Sequence, residues 1–156
     1  MANTLAAYID YFQQLAARHV ELKSFVHGAA TRIISGSRND LDYPLLWLET
    51  PTLQLHDKDG TTPHGTRHGA FVVLASAPVG DYEAQDAAWQ QTERIALDVL
   101  SYLWRDKKAR KHTFDLPERP LEPVATLTVA GEIGWRFEFG LGDFMSLQFD
   151  ETRWKP

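Results

Sequence analysis

Along the first 22 residues the apolar positions recur at helical spacing. Leu5, Ile9, Phe12, Leu15, Ala16, Val20 and Leu22 fall mostly three or four apart, flanked by Tyr8 and Tyr11, while Asp10, Gln13, Gln14, Arg18 and Glu21 lie largely elsewhere. This period predicts an amphipathic helix opened by Asn3 or Thr4, either of which can cap it. His19, beside the stripe, reads as a boundary side chain at the helix end. The helical pattern fails between Ser24 and Gly28, where Phe25 and Val26 predict a short extended segment. Ala29 to Leu41 predicts a short helix stopped by Gly36 and followed by a loop rich in Ser, Asn and Asp.

The period then changes. Tyr43 to Glu49, "YPLLWLE", is a short apolar run between turn formers, as expected of a strand buried on both faces, with Pro44 at its entry. Thr52 to His56 alternates, with Leu53 and Leu55 on one face, and Gly69 to Ala77 predicts a third strand. From Asp81 the helical period returns. Ala88 or Trp89, then Ile95, Ala96, Val99, Leu100 and Leu103 form one stripe, with Glu83 and Asp86 near its start and Arg105, Lys107, Lys108, Arg110 and Lys111 at its end. Acid at the start and base at the end suit the helix dipole, so the charge split needs no ligand. Beyond Pro117 and Pro120, Val124 to Ala130 predicts a strand and Gly131-Glu132 a turn. Ile133, Trp135, Phe137 and Phe139 then alternate with Gly134, Arg136, Glu138 and Gly140, the clearest strand signal in the chain. The predicted class is α+β: a mostly antiparallel sheet, with an N-terminal helix and one long helix packed on one face, in the order α-β-β-β-α-β-β. One domain over 1–156 is expected, with the apolar residues 141–156 as a docking segment on the domain itself or on a neighbouring subunit.

Composition narrows the function classes. Aromatics make up 12% of the 156 residues, including five Trp, which suits a dense core or an extensive protein interface. A net charge of −5 argues against a general positive groove for nucleic acid. With no Cys there is no disulfide, thiolate zinc site or cysteine nucleophile, and a cytoplasmic or particle-assembly setting fits. The N-terminus lacks a signal-peptide pattern, and no window holds the roughly 18 apolar residues of a membrane span.

The one cluster that suggests chemistry is "HDKDGTTPHGTRHG", His56 to Gly69. His64 and His68 lie four apart, as metal ligands on a helix would, but Pro63, Gly65 and Gly69 disfavour a helix and the Glu of a zincin motif is missing. Asp57 and Asp59 resemble the start of a calcium loop, yet Thr62 stands at the position of its Gly and His68 at that of its closing Glu. No P-loop, dinucleotide fingerprint or nucleophile elbow occurs. The stretch reads as a projecting loop, with Lys58, His64, Arg67 and His68 at its tip as candidate contacts. Phe144, Phe149 and Trp154 are the candidates in the C-terminal segment. No catalytic, cofactor or metal residue is assigned.

The succession of elements resembles that of tail-terminator and tail-completion proteins of long-tailed phages and related contractile injection systems. The matching pieces are "YPLLWLE" (Tyr43–Glu49), "GAFVVLASAPVGDYEAQDAAWQQTERIALDVLSYLW" (Gly69–Trp104) and "GWRFEFGL" (Gly134–Leu141). The helix start at Asp81, Tyr82, Asp86 and Trp89 also resembles small proteins of prophage-type tail gene clusters. The resemblance implies a non-enzymatic structural protein, a six-membered ring that caps the tail tube and joins it to the head or a terminal cap. Its implied partners are further copies of the chain and tube, sheath or connector proteins, with no cofactor, membrane or specific nucleic acid. Its implied location is the cytoplasm during assembly and then the virion or tail-like particle. The long His-rich loop and the apolar C-terminal segment depart from the simplest members. Two other classes remain open: a small metal-dependent enzyme using His56, Asp57, His64 and His68, and a monomeric adaptor or immunity protein with an acidic binding surface.

Overall fold

Two long strands form the spine of the molecule. They are β4 (His64–Ser76) and β7 (Glu132–Phe144), antiparallel over their whole length from His64 opposite Phe144 to Ser76 opposite Glu132. The structure is a computed structural model that describes residues 4–36, 41–57, 63–125, 131–145, 147 and 149–155. Shorter strands flank this spine on both edges. Along β4 run β2 (Leu45–Leu48), at the end nearer Ser76, and β3 (Thr52–His56), at the end nearer His64. Along β7 run β6 (Glu122–Ala125) and β5 (Thr113–Asp115), and β1 (Ser24–His27) continues the sheet outside β2. Among the described residues the sheet has seven strands.

The α+β class and the element order follow the sequence reading, but the sheet is mixed. β1 and β2 are parallel, in register from Ser24 opposite Leu45 to His27 opposite Leu48. Parallel neighbours need a crossover, and the connection between them carries α2 (Thr31–Gly36), whose Ile33 is buried on Leu45, Trp47, Val72 and Leu74. Trp47 Nε1 donates to the Gly28 carbonyl at 2.8 Å, tying that patch to the connection.

The opposite face is covered by α1 (Leu5–Arg18) and α3 (Tyr82–Lys108). Thr4 caps α1, its hydroxyl accepting from Ala7 N at 3.1 Å, and Asp81 caps α3 by accepting from Ala84 N at 3.0 Å. The two helices run antiparallel, since Tyr11 meets Asp106, His19 meets Asp98 and Glu21 meets Arg94. α1 stops at Arg18, and His19 is extended. Val20 therefore leaves the predicted stripe and is exposed, while Tyr8 joins Phe12, Leu15 and Ala16 in the core. Burial of each large apolar side chain is worth about 1.5–3 kcal/mol. The Tyr8 hydroxyl is buried and finds no hydrogen-bond partner among the described residues. It lies where a Cβ on Gly69 would be, at 2.2 Å, so that strand position has room only for glycine.

At its far end α3 closes with two backbone bonds, Arg110 N to Lys107 O and Lys111 N to Asp106 O. This is the Schellman arrangement, with Arg110 in the left-handed region (φ 54°) where glycine is usual. The predicted strand over 124–130 is seen as β6, which starts two residues earlier; residues 126–130 lie outside the described residues. β5 is not legible as a strand in the sequence and exists by pairing with β7.

Candidate functional site

The polar face of β7 carries the densest group of charges. Arg136 donates through Nε and Nη2 to both carboxylate oxygens of Glu49, at 2.7 and 3.0 Å. Its Nη1 donates to Glu138 at 2.9 Å and to Glu122 at 3.2 Å, and Arg119 forms a second ion pair with Glu138. The hydrogen bonds it donates to Glu49, more than any other cause, hold the Arg136 guanidinium above its ordinary range, against the effect of burial. A cleft of about 420 Å³ opens beside this group, bounded by Glu49, Thr52, His68, Asp115, Arg119 and Arg136. Gly140 lies in register between His68 and Asp115, so the cleft floor there is bare backbone. His68 Nε2 lies 3.2 Å from Gln54 Oε1. Chemically the group is a clamp. Arg136 ties together the residue after β2, β6 and β7, and its three carboxylates are engaged by arginine rather than poised for proton transfer.

The residues expected at a loop tip are placed differently. β4 begins at His64, five residues before the predicted strand, so His64, Arg67 and His68 are ladder residues. His64 pairs with His56 and Phe144, and His68 with Thr52 and Gly140. Arg67 stands between Leu53 and Leu141 and is buried, which removes it as a contact for a neighbour. The reason is that β3 and β7 both offer ladder partners to a stretch of weak β-propensity, drawing it into the sheet. Lys58 lies outside the described residues. Among the described residues no three His, Cys, Asp or Glu side chains converge as metal ligands, and Asp59 of the same loop is not among them.

At the C-terminus, residues 141–144 are the end of β7 rather than part of a separate segment, and Phe144 is the β7 residue in register with His64. Phe149 and Trp154 stack on each other with ring centroids 5.7 Å apart, and each is 66% exposed.

Two buried polar groups escaped the sequence reading. Tyr43 donates to Glu132 at 3.1 Å across the other face; burial first, and then the Glu132 charge, raise the tyrosine above its ordinary range. Asp106 accepts from Tyr11 at 2.9 Å and from Arg105 Nε and Nη2 at 3.1 and 2.9 Å. It lies on the α3 stripe, three residues after Leu103 and seven after Val99, and a lone acid on an apolar stripe is the signal that would have found it. Burial opposes its charge, but the bonds from Arg105 and Tyr11 prevail and hold the carboxyl below its ordinary 3.8.

A depressed carboxyl stabilises the fold above its unfolded value, and that contribution is lost as pH falls through the folded one. Asp106→Asn should therefore cost about 1.5–3 kcal/mol near neutrality, the range for hydrogen bonds to a charged group. Urea titrations of both proteins should show this gap closing as the pH falls below 3.8. A gap unchanged at pH 2.5 would reject the charge assignment.

No family model matches this chain, and searches of curated proteins and of solved structures return no similar protein. No helix among the described residues is long and apolar enough to cross a membrane.

Proposed function

We propose that the chain is a non-enzymatic structural subunit, a ring-forming tail-terminator-like protein of a phage tail or tail-like particle. The observation that carries this reading is an uncovered piece of core face. On the helix side of the sheet Phe71, Phe137 and Phe139 lie beneath α1 and α3. Toward the β3 end the same face continues through Leu141 and Arg67 to Leu53 and Leu55, which are 40% and 52% exposed. These leucines lie on an edge strand whose five residues are all exposed. An exposed edge with an apolar row favours pairing with another chain unless something covers it. A ring supplies such a cover through contacts that repeat head to tail and close. The element order and the aromatic surplus support the same class.

The test is the mass of the purified chain by light scattering at high concentration, with negative-stain images. A closed ring of six copies is expected. Leu53→Lys/Leu55→Lys should lower the assembled mass while changing stability by no more than about 0.5 kcal/mol, as usual for exposed positions. A wild-type chain that stays monomeric at its solubility limit rejects the ring, and an unchanged mass in the double variant rejects this face as a subunit contact.

A further inference from the structure

The long helix α3 carries two exposed apolar features of opposite charge, one at each end. At its C-terminal end Leu100, Ser101, Trp104, Leu116, Pro117 and Phe137 line an apolar groove of about 300 Å³. Trp104 is 47% exposed, and the ammonium groups of Lys107 and Lys108 lie 5.2 and 5.9 Å from its ring centroid. Of the neighbouring cations, Arg105 and Lys111 pair with the buried Asp106, which leaves Lys107 and Lys108 as the basic rim beside Trp104.

At the N-terminal end the turn before α3 presents a knob. Val79 and Tyr82 are 72% and 77% exposed, among the largest exposures of any apolar side chain in the described residues. Asp81, Glu83 and Asp86 surround them, and no Lys or Arg occurs between Val79 and Glu93. Asp81 is engaged as the helix cap, which leaves Glu83 and Asp86 as the acids that face outward.

The helix dipole accounts for some charge at each end. It does not account for large apolar side chains left in water beside those charges. Val79 and Tyr82 offer an apolar–acidic knob where the groove offers an apolar floor with a basic rim. The two lie roughly 30 Å apart along the axis at 1.5 Å per residue, so they cannot meet within one molecule.

We infer that the groove at Trp104 receives the Val79–Glu83 turn of a second copy of this chain, with Tyr82 against Trp104 and with Glu83 and Asp86 facing Lys107 and Lys108. The inference rests on the reading that copies associate, and it names the contact that joins them. Apolar burial supplies the adhesion, and the charges set its polarity and partner choice.

The experiment uses complementary full-length variants. Tyr82→Ala/Asp86→Lys removes the knob and leaves the groove; Lys107→Glu/Lys108→Glu spoils the groove and leaves the knob. Trp104→Ala serves as a second groove variant, and all these positions are at the surface, so thermal melts should stay near wild type. Each variant alone should be monomeric by light scattering, and an equimolar mixture of knob and groove variants should form dimers, because one intact contact can still form between them. If the wild type assembles and every variant assembles equally, the contact is wrong and the ring reading stands. Should the variants fall apart but the wild type prove a two-chain dimer, the contact stands and the ring fails. A monomeric wild type overturns both.

Discussion

Gly134→Ala should prevent stable folding. Gly134 lies in β7 between Leu74 of β4 and Val124 of β6. A Cβ there would stand 1.7 Å from the Val73 carbonyl oxygen, 2.8 Å from its carbon and 3.1 Å from Leu74 Cα. These are backbone atoms of the central strand pair, so no side-chain rotation relieves the overlap. The spine must separate or buckle, and interiors packed like crystals transmit such a displacement. The cost should exceed the about 1–3 kcal/mol of ordinary overpacking, a large share of the about 5–15 kcal/mol that holds a domain together. Gly142→Ala is the control on the same strand. Its Cβ would find Thr66 Oγ1 at 3.5 Å, an ordinary contact. Urea melts of the two variants decide the matter: similar midpoints would show that β4 and β7 do not approach this closely at Gly134.

Phe139→Ala should cost about 3–5 kcal/mol, the range for emptying a buried aromatic site. Phe139 is the ring on which three elements converge. Phe12 and Tyr8 of α1 lie 5.1 and 6.1 Å away, Phe71 of β4 at 6.3 Å and Phe114 of β5 at 6.2 Å, centroid to centroid. Truncation would leave a cavity bordered by side chains that cannot close it without moving α1. The denaturant midpoint should fall with an unchanged slope, since the same surface is exposed on unfolding. Phe139→Leu should recover most of the loss, and Trp154→Ala, at an exposed ring, should lose almost nothing. Equal losses for Phe139→Ala and Trp154→Ala would contradict the core assignment.

The two experiments also separate folding from assembly. Gly134 and Phe139 act on the fold of the single chain, whereas Leu53, Leu55, Tyr82 and Lys107 are exposed or half-buried surface positions whose loss should be read in mass and not in melting. A structural ring subunit needs both, a core that is indifferent to its neighbours and surfaces that are incomplete without them.

The candidate contacts were less legible than the fold. The sequence drew attention to the histidines of residues 56–69, because three of them stand in a short polar stretch. The structure turns His56, His64 and His68 into residues of paired strands and buries Arg67. The features that carry the inferred contacts, the Leu53–Leu55 row and the two ends of α3, were visible as residues but not as exposed ones. Exposure depends on where the covering helices stop, and no local pattern records that.

By itself the sequence determined the elements whose evidence is local. The two-residue alternation around Trp135 and Phe137 predicted β7, the stripe that ends at Leu103 predicted α3, and the apolar run at Tyr43–Glu49 predicted a doubly buried strand, seen over Leu45–Leu48. These follow from backbone geometry and the apolar face each element must hide, both written within a few turns of chain. Tertiary structure decided what depends on distant partners. Thr113–Asp115 is a strand because β7 offers an edge, His64–His68 is one because β3 and β7 lie on both sides, and β1 runs parallel to β2 because α2 carries the chain across the sheet. Strand hydrogen bonds join residues far apart in sequence, so a segment with little preference of its own takes the conformation its neighbours can pair.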